Sequence, residues 1–221
     1  MTGSNKHLEP SDPANVVEIK LLSVRKLLRN STHDHHSQLN HHPLLAGLTQ
    51  SDYPLATYQK LLCAYFQIYQ HLENTLHQFL LRQPCSFDYA RRVKLPWLKD
   101  DLAFFNPTIT FENAPPVPIV SPEIDNLGQL IGVLYAIEGS TLGGQLISRK
   151  LADHHGLTSK TGARFFNAYG EQTLPFWQEF NHFAETIIDD DKLCRAAVTS
   201  ASQTFQFFNQ MLDAFISIKP G

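Results

Sequence analysis

Apolar residues recur along this chain at helical spacing, and hardly any stretch alternates apolar and polar residues as a strand does. The pattern predicts an all-α fold. A first helix is expected from about Val17 to Asn40, ended by His42-Pro43, because a residue before proline is driven out of helical conformation. A second should begin after Ser51-Asp52 with Pro54 in its first turn. Its predicted buried face is Leu55, Tyr58, Leu62, Tyr65, Phe66, Tyr69 and Leu72.

The second half of the chain is predicted to hold one long helix and three further helices. Five prolines between Asn106 and Pro122, with no helical period, indicate an irregular connection. Ser121-Pro122-Glu123 is a start signal for the long helix, and Gly156 is its expected end. The later helices are expected at about Ala163 to Tyr169, at about Pro175 to Ile188 and after Asp189–Asp191.

Length and composition restrict the class of protein. The 221 residues and 43% hydrophobic content suit one domain, which we expect over residues 17–221. Residues 1–16 are polar, without an apolar run long enough for a signal peptide or a membrane span, and are expected to form a flexible lead-in. A net charge of −3 without a dense basic run argues against nucleic acid as a partner. Three widely spaced cysteines favour a reducing cytoplasm.

Small residues form a stripe along the predicted long helix. Gly128, Gly132, Ala136, Gly139 and Gly143 are spaced by three or four residues, which places them on one helix face. Each glycine inside a helix costs roughly 1 kcal/mol relative to alanine, so the stripe requires an explanation. Either another helix packs closely there, or a flat ligand lies across the exposed backbone.

Histidines concentrate near the start of the chain, with five of the eleven between positions 33 and 42. No carboxylate or thiol at ligand spacing completes a zinc or iron set with them. One histidine can still serve as the single axial ligand of a haem iron. Helical periodicity places His35 with Leu28, Thr32 and Leu39 on the apolar side and His36 at its edge, which slightly favours His35.

The chain contains the motif Leu28-Arg29-x-x-Thr32-x-x-x-His36-x-x-Leu39-Asn40 and, a hundred residues later, Glu138-Gly-Ser-Thr-Leu-Gly-Gly-Gln145. Both motifs resemble those of bacterial haem oxygenases, most closely the biliverdin-forming type often paired with bacteriophytochromes. The run Phe165-Phe-Asn-Ala-Tyr-Gly170, followed by Thr173 and Trp177-x-x-Phe180, is also similar to that group. The resemblance extends from Leu28 to the last helix. It implies a single-domain helical bundle in which haem lies between a proximal helix and a distal helix kinked at glycines.

On the proximal side, the resemblance implies that His36 ligates the haem iron, because it stands four residues after Thr32. The resemblance outweighs the helical periodicity, which slightly favoured His35, and His35 remains the alternative ligand. Thr32 belongs to the same haem-binding motif. Arg29 resembles a basic residue that family members use to bind a haem propionate, while Arg25 and Lys26 are weaker candidates.

On the distal side, the resemblance implies that backbone at Gly139, Gly143 and Gly144 approaches the haem plane and leaves room for O₂. Ser140 stands where animal relatives have an aspartate that organises distal water, so the polar network must be built differently. Between residues 173 and 188 the chain has no Lys or Arg, although many relatives carry a basic residue there.

The activity implied is oxidative cleavage of haem to biliverdin, with release of CO and iron. The chain has no dinucleotide-binding fingerprint and no iron–sulfur cysteine spacing, so electrons must come from a ferredoxin or a flavin-dependent reductase. A bacteriophytochrome is a possible acceptor of the biliverdin.

Two rival functions remain open at this point. One is a haem carrier or sensor without turnover, which would keep His36 but would not need an open distal site. The other is a di-iron oxidase or small hydrolase, for which Glu73, Glu138, Asp153 and His154 would have to converge. Glu138 by itself is expected to face solvent or form a salt bridge. Aromatic residues of the last helix could wall the haem, namely Phe205, Phe207 and Phe208. Most of them, like Tyr135 and Trp177, are expected simply to pack in the core.

Overall fold

The computed structural model describes residues 23–106 and 120–216, and in these residues it contains α-helices, two short 3₁₀ helices and no strand. The predicted all-α fold is confirmed. The expected lead-in, the expected first turns of the first helix and residues 107–119 of the proline-rich connection lie outside the described residues. The helices are α1 (Val24–Asn40), α2 (Leu55–Arg82), α3 (Leu95–Phe105), α4 (Leu127–His155), α5 (Arg164–Asn167), α6 (Thr173–Ile187) and α7 (Asp191–Ile216).

Helices α1 and α2 follow the sequence pattern closely. The Ser23 side chain caps α1 by accepting from the Lys26 amide, and α1 ends at Asn40 as predicted. Pro54 is the cap residue of α2 rather than part of its first turn. Leu55 was wrongly predicted to be buried, because it stands at the open end of α2 and is 42% exposed. The other six residues of the predicted face are buried.

The long helix α4 begins at Leu127, later than the Ser121-Pro122-Glu123 signal predicted. The start is set by Asn126, whose side chain accepts from the Gln129 amide at 3.0 Å, while Gln129 Oε1 accepts from the Asp125 amide at 2.7 Å. The predicted end is confirmed, because Gly156 caps α4 in the left-handed conformation, with φ of 67°. Helix α3 was not predicted at all.

The last third of the chain also departs slightly from the prediction. The short helix expected to reach Tyr169 ends at Asn167, and a 3₁₀ turn at Gly170–Gln172 leads into α6. Helix α6 starts two residues before the expected Pro175 and ends one residue before the expected Ile188. Helix α7 follows the acidic residues as expected.

Helix α4 lies at the centre of the fold and packs closely on α7. A Cβ atom at Gly128 would lie 2.4 Å from the Leu193 carbonyl oxygen, and one at Gly132 would lie 2.4 Å from that of Ala197. The two helices run in the same direction, because moving four residues along α4, from Gly128 to Gly132, moves the contact four residues along α7, from Leu193 to Ala197. Close helix packing, one of the two explanations for the glycine stripe, therefore holds for its first half. Helix α4 is also long and apolar enough to cross a membrane, but 56% of its most apolar window is buried within the protein.

Helix α1 also packs on α7, which brings together distant parts of the chain. The rings of His36 and Phe205 meet edge to face, with centroids 6.0 Å apart. Beyond the end of α1, His42 Nε2 lies 3.3 Å from an Asp213 carboxylate oxygen. Helix α7 thus packs against both α1 and α4.

Replacing Gly132 by alanine is expected to destabilise the protein. The new methyl group would collide with backbone of α7, which cannot move without separating the two helices. Overpacking of this kind costs about 1–3 kcal/mol. Urea unfolding of the Gly132→Ala variant should show that loss, with Gly156→Ala as a comparison in which strain rather than crowding acts. An unchanged unfolding free energy in Gly132→Ala would contradict the close packing of α4 on α7.

Candidate functional site

A cavity of about 550 Å³ lies between α1 and the second half of α4. This volume is within the range of roughly 300–1,000 Å³ usual for pockets that bind small molecules and cofactors. Helices α2, α5, α6 and α7 contribute aromatic side walls. The proposed residues Arg29, Thr32, His36, Gly139, Ser140, Gly143 and Gly144 all border this cavity.

His36 lies on the proximal wall, the side formed by α1. The Asn40 side-chain nitrogen lies 3.2 Å from His36 Nδ1. A ligand at Nε2 requires the ring proton on Nδ1, and Asn40 would then present its amide oxygen to that proton. Burial lowers the pKa of His36 below its ordinary value, and the neighbouring His33 lowers it further. The imidazole is therefore neutral at pH 7, the form that coordinates a metal.

His35, the alternative ligand, does not border the cavity. Its Nδ1 atom is buried without a hydrogen-bond partner among the described residues. The helical twist of α1 thus turns His36, rather than His35, toward the cavity. Thr32 lies one turn earlier, and its hydroxyl donates to the Leu28 carbonyl at 2.8 Å.

Positive charge gathers at one rim of the cavity. Arg25 and Arg29 border it from α1. Burial raises the pKa of the facing Tyr135, while a hydrogen bond to Thr32 and the charges of Arg29 and Arg25 oppose that rise. The rim formed by α1 is thus suited to anionic groups of a ligand.

The distal wall is the second half of the glycine stripe. A Cβ atom at Gly139 would meet only the Trp177 ring at 3.7 Å, and one at Gly143 would meet nothing within 4 Å. Both positions therefore open backbone to the cavity. Gly144 differs, because its Cβ would lie 2.8 Å from the Phe166 carbonyl oxygen, so it also allows α5 to pack on α4. The flat-ligand explanation thus suits Gly139 and Gly143, and α4 continues as a helix past them.

Ser140 provides the polar group of the distal wall. Its hydroxyl donates to the Ile137 carbonyl at 2.9 Å and lies 3.5 Å from the Tyr69 hydroxyl. Because the proton of Ser140 is already used, Tyr69 is the donor in this weak contact. Burial raises the pKa of Tyr69 well above its ordinary value, so the phenol keeps its proton.

Aromatic rings enclose the cavity to a greater extent than the sequence predicted. Tyr135, Trp177, Phe205 and Phe208 border it, whereas only Phe207 of the five aromatics expected in the core is placed entirely within it. Periodicity shows that these residues are buried, but it does not distinguish a core face from a cavity face.

Behind the distal wall lies a buried charge cluster, formed by Arg92, Lys94, Glu138 and Tyr169. Glu138 is fully buried and accepts from Arg92 at 2.8 Å and from Lys94 at 2.7 Å. The Tyr169 hydroxyl lies 3.0 Å from both Glu138 oxygens. Of the two roles expected for Glu138, the salt bridge is confirmed. Neither Arg92 nor Lys94 was predicted to have a role, because the run Arg91-Arg92-Val93-Lys94 resembles an exposed basic turn.

The di-iron or hydrolase arrangement is wrong. Glu138 is committed to Arg92 and Lys94, and Glu73 accepts from the Lys94 amide at 2.6 Å. Asp153 and His154 are exposed at the far end of α4. Among residues 23–106 and 120–216, no group of three or more His, Cys, Asp or Glu side chains is placed to hold a metal ion.

Asp101 holds one of the aromatic walls in position. This residue of α3 is 1% exposed and accepts from the backbone amides of Arg164 and Phe165, at 2.6 and 2.8 Å. These bonds anchor the start of α5, which carries Phe165 and Phe166 to the cavity. Burial raises the pKa of Asp101 to about 6, against the effect of the two amides and the Arg164 charge.

The Asp101 carboxyl should make stability depend on pH. Its pKa is higher in the folded chain, so its stabilising contribution is present below its unfolded pKa of about 3.8 and is lost as pH rises through 6. The difference in unfolding free energy between the wild-type protein and Asp101→Asn should therefore depend on pH. It should be about 2 kcal/mol less favourable to the wild type at pH 7.5 than at pH 4.5. Urea unfolding at both pH values measures this, with Asp100→Asn on the exposed face as the control. A constant difference would disprove it.

A protein-family model described as "Heme oxygenase" matches residues 22–214 of this chain. No curated protein sequence gives a significant match.

Several solved structures that share this fold are haem oxygenases. The haem oxygenase from Leptospira interrogans superposes with a TM-score of 0.71 at 18% identity, covering 86% of this chain and 98% of that one. Haem oxygenase-2 from Synechocystis, solved with haem and NO, gives a TM-score of 0.71 at 15% identity over 88% of this chain and 85% of that one. The enzyme from Neisseria meningitidis gives 0.66 at 18% identity over 88% and 92%. At these identities the likeness establishes the fold.

Proposed function

Because the chain belongs to the haem oxygenase family, whose activity is haem degradation, we propose that its cavity holds one haem between His36 and the distal glycines. The chain is accordingly an enzyme of that family. The observation that carries the placement is the cavity itself, in which a neutral imidazole faces backbone left open at Gly139 and Gly143. A flat apolar macrocycle with one axial position satisfied and the other open suits this arrangement.

The residues present are those that haem requires. His36 would hold the iron through Nε2, with its Nδ1 proton donated to the Asn40 amide oxygen. Aromatic rings of α2, α5, α6 and α7 cover the faces and edge of the macrocycle. Arg29 and Arg25 stand where propionates would meet solvent. When bound, haem supplies the iron that activates O₂ and is itself the ring that is opened.

The protein contributes position, water exclusion and hydrogen bonding. Gly139 and Gly143 leave space on the distal face that a side chain would fill. Tyr69 and Ser140 provide hydroxyl groups at that face, and both act without net charge. The basic residues at the rim come from α1, and α6 has no Lys or Arg, so the α1 rim orients the propionates.

The complete reaction that we propose converts haem to biliverdin with release of CO and iron in the cytoplasm. A ferredoxin or flavin-dependent reductase supplies the electrons, since the chain carries no motif for a redox cofactor of its own. A bacteriophytochrome is the proposed acceptor of the biliverdin, by resemblance to the phytochrome-associated type.

Titration of the purified protein with haemin, followed by a reductant under air, tests the function. We expect a one-to-one Soret complex that decays to a biliverdin spectrum. A Soret band that survives reduction and oxygen would instead indicate a haem carrier, which the open distal face argues against. Absence of a Soret complex would overturn both functions.

A further inference from the structure

Lys94 places a buried cation against the distal half of the cavity. Its side chain borders the cavity although the residue is only 1% exposed. The three ammonium protons are directed at Glu138, the Tyr169 hydroxyl and the Arg92 carbonyl, at 2.7, 2.9 and 3.1 Å. The ammonium group therefore has no donor left for a ligand and acts on the cavity through its charge.

Carboxylates balance this region, but they stand further back. Glu138 lies between Lys94 and Arg92, Glu179 pairs with Arg92 from the surface at 2.8 Å, and Glu73 holds the Lys94 backbone amide. None of these carboxylates borders the cavity, and neither does Arg92. Within the part of the chain that the structure describes, the Lys and Arg residues that border the cavity are thus Arg25 and Arg29 at the α1 rim and Lys94 on the α4 side, where it contacts Glu138.

We propose that Lys94 sets the charge preference of the distal site, favouring anionic over neutral ligands, with Glu138 as the counter-charge that holds its ammonium group. This inference rests on the proposed function, because it concerns ligands of the bound haem. Charge at this place matters in a buried site, where water does not screen it. Ser140 and Tyr69, the polar residues at the wall itself, supply dipoles and no charge.

Azide and imidazole separate charge from shape, since both bind ferric haem but only azide is an anion. In the haemin-loaded Lys94→Met variant, the azide dissociation constant should rise by about three- to tenfold, while that of imidazole stays unchanged. Lys94→Arg should restore the azide affinity. The matched control is Arg91→Met, which removes one cation from a side chain that is 56% exposed. Absorption titration of the Soret band gives both constants.

Glu138→Gln gives a second and independent result, because it removes the opposite charge from the same ion pair. It should strengthen azide binding and leave imidazole binding unchanged, which reverses the effect of Lys94→Met. A merely structural role would move both ligands, or both variants, in the same direction and would overturn the inference. Unchanged azide affinity in Lys94→Met would do so as well. If the wild-type protein forms no haemin complex, the proposed function is wrong, and the inference about Lys94 is wrong with it.

Discussion

Replacement of His36 by alanine is expected to abolish haem turnover. Aromatic walls still offer haem an apolar slot in this variant, so haemin should bind with an altered Soret spectrum rather than be lost entirely. Disturbing the partner of a metal ligand already costs about 10–100-fold, so losing the ligand itself should lower turnover by more than about 100-fold. Single-turnover absorption under air, with a chemical reductant, measures the effect.

Two controls make the assignment specific. His35→Ala should keep the wild-type Soret spectrum and turnover, because His35 does not border the cavity. Added imidazole should restore activity to His36→Ala, since the truncated side chain leaves space for a free ligand. A variant His36→Ala with wild-type turnover, or loss of turnover only in His35→Ala, would reassign the ligand.

Valine at Gly143 or Gly139 is expected to stop turnover without harming the fold. A Cβ at Gly143 meets nothing within 4 Å, so the added side chain projects into the distal space where ligand and O₂ must fit. We expect turnover to fall by a factor on the order of 100. Folding should improve slightly, because removing a glycine from a helix interior gains a few tenths of a kcal/mol up to about 1 kcal/mol.

Gly132→Ala serves as the comparison variant for Gly143→Val. Gly132 and Gly143 lie on the same stripe of α4, yet crowding should destabilise the first variant and inactivate the second. Urea unfolding and haem turnover measured on both variants should therefore give opposite patterns. Full turnover in either Gly143→Val or Gly139→Val would contradict the assignment of this part of α4 as the distal wall.

Capping residues in the sequence predicted the helix ends that depend only on residues adjacent in the chain. Gly156 ends α4 because it alone adopts the left-handed conformation there, and that property belongs to the residue. The start of α4 was misplaced because two cap signals compete, and the reciprocal bonds of Asn126 and Gln129 prevail over Ser121-Pro122. Helix α3 escaped notice because its 11 residues are too short for a clear helical period.

The candidate site was only partly predictable, since its parts depend on long-range packing. Motif resemblance predicted His36 as the ligand where periodicity favoured His35, and of these two residues only His36 borders the cavity. The sequence could not show which glycines of the stripe pack against a helix and which face the cavity, because that depends on where α7 crosses α4. Lys94 could not be found either, since a basic residue is buried only when a distant carboxylate such as Glu138 receives it.

The packing of α1 on α7 governs when the protein can first capture its ligand during biosynthesis. His42 and Asp213, which join the two ends, are 171 residues apart. A ribosome needs on the order of 10–30 s to make that stretch. His36 therefore leaves the ribosome long before Phe205 and Phe208 exist to close the cavity. On the proposed function we therefore expect haem capture to follow translation, and a nascent chain halted before α7 should be unable to retain haem.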